Sequence, residues 1–266
     1  MKKKILTIYF PVMLLMVVSA LAIPPRADAS GLFGPLQTVS REQGGLNTAV
    51  GYLYHEDTYE NGESYRVKQN EIYSQAAYGA KNIWEIYGRV GVSNMKLSGI
   101  FASSDHFVET SKDDFEADWE FFGALGAKVF YPINAVFGVG AFMQGTYYFT
   151  DFSDHASITS GGVPIKTEMK FENLWDADFG IGLQAQLPCG AKLYAGPYIY
   201  YSEADMSLSS DWTGTEYTKK DHTVSNQSMA GGFLGADIPL IRGFRLNVEG
   251  QFADRFSAGL AVSYTY

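Results

Sequence analysis

Three of the four histidines follow an aspartate, in Asp105-His106, Asp154-His155 and Asp221-His222, and the fourth lies in Tyr54-His55-Glu56-Asp57. Imidazole beside carboxylate is the raw material of acid–base catalysis, and clustered imidazoles are that of a metal site. A working base needs its orienting carboxylate within hydrogen-bond reach, whereas neighbours along a strand point to opposite faces. Adjacent Asp-His is therefore weak support for a dyad, and all four histidines read first as solvated loop residues. No G-x-S-x-G occurs, so an acyl-transfer serine lacks its elbow. Gly138-Val139-Gly140 and Gly180-Ile181-Gly182 suggest phosphate loops, but no helix follows, and they read as packing relief in a curved sheet. No catalytic, metal-binding or cofactor-binding residue is expected.

A larger set of charges is spaced differently. Glu71, Glu85, Arg89, Glu120, Lys128, Asp176, Asp178, Lys192, Asp237, Arg245 and Glu249 fall on the polar side of segments that alternate apolar and polar residues. In the last segment Phe256, Ala258, Leu260, Val262, Tyr264 and Tyr266 share one face. Before it, Phe244, Leu246, Val248, Gly250 and Phe252 oppose Arg245, Asn247, Glu249 and Gln251. Between Asn173 and Leu187, Trp175, Phe179, Ile181 and Leu183 oppose Asp176, Asp178 and Gln184. A period of two is the signature of strands with unlike faces. Ten such segments run from Leu46 to the end, with eight as the alternative count.

Connections alternate in length. Lys81-Asn82, Pro132-Ile133-Asn134, Pro188-Cys189-Gly190 and Leu240 to Gly243 are tight turns, while about 93–117, 150–170 and 203–224 are long polar stretches expected as loops; Asn61-Gly62 and Asp254-Arg255 are shorter members of that set. Short turns on one rim, long loops on the other and segments near the 9–11 residues of a tilted membrane strand predict an all-β, closed, antiparallel up-and-down transmembrane barrel. Such a sheet must close, because lipid offers nothing to an unpaired backbone edge. Aromatics at the segment ends (Tyr147, Tyr148, Phe149, Tyr198, Tyr200, Tyr201, Trp84, Trp119) fit interfacial girdles. A soluble sandwich or lipocalin-like barrel would bury the apolar face instead, and periodicity alone does not choose between them.

The N-terminus is cationic (Lys2, Lys3, Lys4), then apolar from Ile5 to Ile23, then Ala27-Asp28-Ala29, the order of an export signal cleaved after Ala29. Residues 1–29 are thus expected to be removed, 30–45 to form an irregular periplasmic lead-in and 46–266 the barrel. Four of the 20 Lys+Arg and one of the 29 Asp+Glu lie in the signal, leaving 16 against 28, a formal −12 that argues against a nucleic-acid partner. The single Cys189 excludes an internal disulfide.

The ending Gly259-Leu260-Ala261-Val262-Ser263-Tyr264-Thr265-Tyr266 resembles the terminal strand by which bacterial outer-membrane proteins are recognised by the barrel assembly machinery, with Leu260, Val262, Tyr264 and Tyr266 as the signal. From about Leu46 onward the chain is similar to the small OmpA-like and opacity-like barrels, without an appended peptidoglycan-binding domain. The resemblance implies an address in the bacterial outer membrane, with its lipid and the assembly machinery as partners, and no activity. Omptin proteases are also ten-stranded barrels with Asp and His near the outer rim. The expected role is structural or surface-interacting through the long loops, with an extracellular ligand left open. A narrow channel is the alternative, and an omptin-like protease a further one. The eleven lumen charges either interlock and close the barrel or part and let water through.

Overall fold

Alternating sequence becomes strand here because each segment can satisfy both neighbours at once, leaving no unpaired edge in the spanning part. The computed structural model describes residues 32–37, 45–60, 64–80, 83–101, 108–160, 163–212, 215–226, 229–253 and 256–266; the expected signal sequence lies outside them. The strands are β1 (Gly45–Glu60), β2 (Ser64–Ala80), β3 (Trp84–Leu97), β4 (Val108–Thr110), β5 (Phe115–Pro132), β6 (Phe137–Tyr148), β7 (Phe152–Ser160), β8 (Val163–Gln186), β9 (Lys192–Trp212), β10 (Thr215–Asn226), β11 (Ala230–Pro239), β12 (Phe244–Phe252) and β13 (Phe256–Thr265).

Ten of them form an antiparallel ring, β1-β2-β3-β5-β6-β8-β9-β11-β12-β13. It closes where β13 returns to β1, from Asn47 opposite Thr265 to His55 opposite Ser257. The expected turns at Pro132–Asn134, Pro188–Gly190 and Leu240–Gly243 join successive ring strands, while Lys81-Asn82 lies outside the described residues. In one, the Asn134 side-chain oxygen accepts the N–H groups of Val136 and Phe137, both at 2.8 Å.

Which face is outside is settled by burial. Val50, Ile86, Val90, Phe121, Leu125, Met143, Ile181, Leu183, Ile199 and Leu260 point outward and are exposed, Leu125 to 76%. A continuous apolar band of this kind is stable against acyl chains and costly against water. It is edged by aromatic pairs: Tyr78–Trp84, Phe244–Tyr264 and Tyr264–Tyr266 at the short-turn rim, Tyr147–Phe149 and Trp175–Tyr201 at the other. On the latter rim Tyr54 and Tyr201 donate their hydroxyls to Glu56 (2.7 Å) and Glu203 (2.6 Å), the first carboxylates above the band. Each ring sits in the apolar layer and each oxygen in the polar one.

The expected long loops are corrected by the structure. Much of 93–117, 150–170 and 203–224 is strand, because β3, β5, β8 and β9 continue past the girdle and β4, β7 and β10 join them. β7 pairs with the upper part of β8 from Phe152 opposite Phe171, β10 with that of β9, and β10 touches β1 at Tyr59 and Glu60. In this extension the facing is reversed. Met95, Leu97, Phe115, Phe152, Ala156, Met169, Phe171 and Val224 are buried inside, while Lys68, Lys96, Glu116 and Lys170 lie outside. Below, the barrel is greasy outside and polar within; above, it is built like a water-soluble sheet.

Two bulges mark the changeover. β5 carries an extra residue between Ala117 and Glu120, and β8 one between Glu172 and Trp175, where Asn173 has φ +53°. Asn tolerates that left-handed conformation better than most side chains.

Candidate functional site: a plugged lumen

The lumen is filled from within by the chain's own N-terminal side. Residues 32–37, part of the expected periplasmic lead-in, form neither helix nor strand and lie inside the short-turn half of the barrel. Leu32, Phe33 and Leu36 are essentially fully buried. The remainder of 30–45, apart from Gly45, is outside the described residues.

Glu249, on β12, is the centre of the attachment. The N–H groups of Phe33 and Gly34 donate to its two oxygens at 2.8 and 2.7 Å. Gly34 has φ +71°, and this left-handed turn lets two successive N–H groups converge on one anion. Tyr194 donates its hydroxyl to the same carboxylate at 2.8 Å. Opposite, Arg89 on β3 donates to the Leu32 carbonyl, and Lys128 on β5 to that of Pro35 at 3.4 Å. Gln184 on β8 accepts the Gln37 N–H at 3.0 Å and donates to its side-chain oxygen at 3.3 Å. Arg89 is steadied by Gln75 (2.7 Å) and by the rings of Tyr73 and Tyr87, whose centroids lie 4.8 and 5.0 Å from its Cζ.

Apolar contacts complete the seat. Phe33 stands among Phe142, Tyr198 and Phe233, with ring centroids 4.0, 5.2 and 5.5 Å away. Leu36 lies against Gly140 and Gly182, where an added Cβ would come within 2.8 Å of its Cβ and 3.0 Å of its Cδ1. The glycine pairs thus make room for a specific side chain, in addition to easing the curvature. Beside the segment a cavity of about 50 Å³, room for a few waters, is lined by Glu85, Arg89, Lys128 and Asp237 among others.

The predicted lumen charges divide into groups. Glu71, Glu85, Arg89, Lys128, Asp176, Asp178, Lys192, Asp237 and Glu249 are buried on the inner face, and Arg245 is partly so. Glu120 shares the inner register opposite Ser93, but beside the β5 bulge it is only half-buried. Arg245 and Asp237 form an ion pair at 2.6 Å, Glu71 accepts from the Tyr148 hydroxyl at 2.6 Å, and Lys192 faces Asp237 across the ladder. Neither expected arrangement describes the whole: the charges at the short-turn end grip the main chain of the inserted segment. Composition gives no clue to that, because nothing in Leu32–Gln37 is charged.

Above the segment the lumen holds a polar layer and then the apolar cluster of the extension. His55, expected as a solvated loop residue, is buried here, with Nε2 2.8 Å from Gln69 Oε1. It faces Ser257 across the ladder and Asp57 is two residues on, a Ser-His-acid juxtaposition in a fully enclosed wall. The other histidines are scattered. Asp105-His106 lies outside the described residues, and His155 and His222 are exposed on β7 and β10. Asp154 is a clasp: it holds Lys112 and accepts the N–H groups of Glu116 and His155, both at 2.7 Å, tying β7 to the β3–β5 connection. Leu260, Val262, Tyr264 and Tyr266 lie on or just past β13, on the outer face at the closing seam, where the Tyr266 N–H donates to the Leu46 carbonyl at 3.0 Å.

Among solved structures the chain is similar to the outer membrane protease OmpT from Escherichia coli, at 11% identity over 87% of this chain and 100% of that one, TM-score 0.48. It is also similar to the translocator domain of the autotransporter NalP from Neisseria meningitidis (11%, 84% and 88%, TM-score 0.44) and to Ail, the attachment invasion locus protein of Yersinia pestis (9%, 84% and 99%, TM-score 0.33). No protein-family model and no curated sequence matches. At such identities nothing about activity transfers.

Proposed function

We propose that this chain is a closed barrel of the bacterial outer membrane with a structural and surface-interaction role, in which the lipid-embedded half supports a β-extension that meets the surroundings. The observation that supports this reading is the filling of the lumen at successive levels. At the short-turn end Leu32–Gln37 is fastened to four wall residues; above it come the polar layer and the apolar cluster around Phe115, Phe152 and Phe171. A barrel near eight strands is just filled by its own side chains, and this one adds a segment to fill the difference. A water-filled path would need both obstructions to move. The extension presents mixed charge, including Lys68–Glu56 at 3.5 Å and Lys96–Asp114 at 3.2 Å, a surface suited to polar partners. Planar-bilayer recording on the full-length protein tests the reading. No discrete conductance is expected, and reproducible steps from the unaltered chain would replace it with the narrow channel.

A further inference from the structure

We infer that the short-turn half of the lumen is a peptide-binding vestibule, which Leu32–Gln37 occupies in cis and which accepts an extended peptide of the same aromatic-Gly-Pro-Leu pattern in trans when that segment is withdrawn.

Three independent features carry this. The wall reads main chain: Glu249 takes the N–H groups of Phe33 and Gly34, Arg89 and Lys128 take the carbonyls of Leu32 and Pro35, and Gln184 takes the N–H of Gln37. Such contacts do not require the occupant to be covalently continuous with β1. Second, the wall is shaped for two side chains, an aromatic cage for Phe33 and a glycine-floored slot for Leu36. Third, the occupant has no regular secondary structure of its own and contributes no strand to the ring. A site that fixes backbone by charge and selects side chains by shape recognises peptides as a class.

The test uses full-length protein and a variant lacking residues 32–37, each refolded in detergent and checked by heat-modifiable migration. The probe is a fluorescent, end-blocked hexapeptide, Leu-Phe-Gly-Pro-Leu-Gln, followed by anisotropy. Saturable binding to the deleted barrel is expected, with none to the unaltered chain. Replacing Phe by Ala or the second Leu by Asp in the peptide weakens binding about tenfold or more, as does Glu249→Gln in the barrel. A full-length Leu36→Asp chain, whose own segment is loosened, gains binding as well. The proposal is overturned if folded, vacated barrels do not bind, if the unaltered chain binds equally, or if the peptide variants bind as well as the parent. A chain that cannot fold without residues 32–37 would also overturn it, since the segment would then be core, not occupant.

Discussion

Single carboxylates do different work at the two ends of this barrel. Glu249 organises a main-chain seat in the lumen, while Asp154 fastens the extension. Burial alone would raise the Asp154 carboxyl, but the Lys112 ammonium and the N–H groups of Glu116 and His155 outweigh it and hold it below the ordinary carboxylate value. Asp114 is lowered too, by the Gly99 N–H and then Lys96. A depressed carboxyl contributes stability above its unfolded value, about 3.9, and loses it as pH falls through the lower folded value. The β7 clasp is therefore expected to hold at neutral pH and to slacken below about pH 4. Asp154→Asn should remove roughly 2 kcal/mol of local stability at neutral pH and abolish most of this acid sensitivity, read as amide exchange at Ser111 and Ser157; an unchanged pH profile would assign the clasp elsewhere. The sequence marked Asp154 for its histidine neighbour, and the contact between the two is through the His155 backbone, which residue type cannot reveal.

At the scale of elements, legibility followed facing. The ten ring strands were readable where apolar residues stand alone on one side, as at Phe256 to Tyr266. Above the girdle the same period persists with its sides exchanged: on β9, Leu193, Ala195 and Ile199 face out below, while Glu203 and Asp205 do so above, with Ala204 and Met206 turned in. Sparse apolar residues among many charges read as loop, so the extension escaped notice, and its aliphatic and aromatic interior with it. The reversal sets a position-dependent tolerance to charge. Leu125→Lys, at the centre of the outer face of β5, should cost about 2–4 kcal/mol, whereas Ser153→Glu, exposed on β7 opposite Lys170, should cost under about 0.5 kcal/mol. Urea unfolding of barrels refolded into vesicles measures both, and equal penalties would contradict the placement of the interface between them.

For the whole molecule, the two halves are stabilised by different solvents. The ring below needs lipid to cover its outside; the extension needs water outside and packing within. Phe171, fully buried against Phe115 at 5.7 Å between centroids, belongs to the second. Phe171→Ala is expected to cost about 3–5 kcal/mol there, making the hairpins sensitive to trypsin while heat-modifiable migration of the ring survives. Loss of migration together with the hairpins would mean that the halves form one cooperative unit. The closed ring was foreseeable from segment number and rim asymmetry. The occupied lumen was not, because Leu32–Gln37 has no periodicity and its partners lie up to 216 residues away.

The bulge in β8 gives this strand a phase. Thr167, Met169 and Phe171 point inward on odd positions, Leu174, Asp176 and Asp178 on even ones, and the supernumerary residue near Asn173 reconciles the two countings. Excising Asn173 should leave a straight ladder with every neighbour still facing correctly, whereas excising Ala177 should rotate one half of the strand and carry either aspartates or leucines to the wrong solvent. Comparing the refolding yields of the two deletions decides the matter. Length drift in such a barrel is survivable at its kinks and lethal between them.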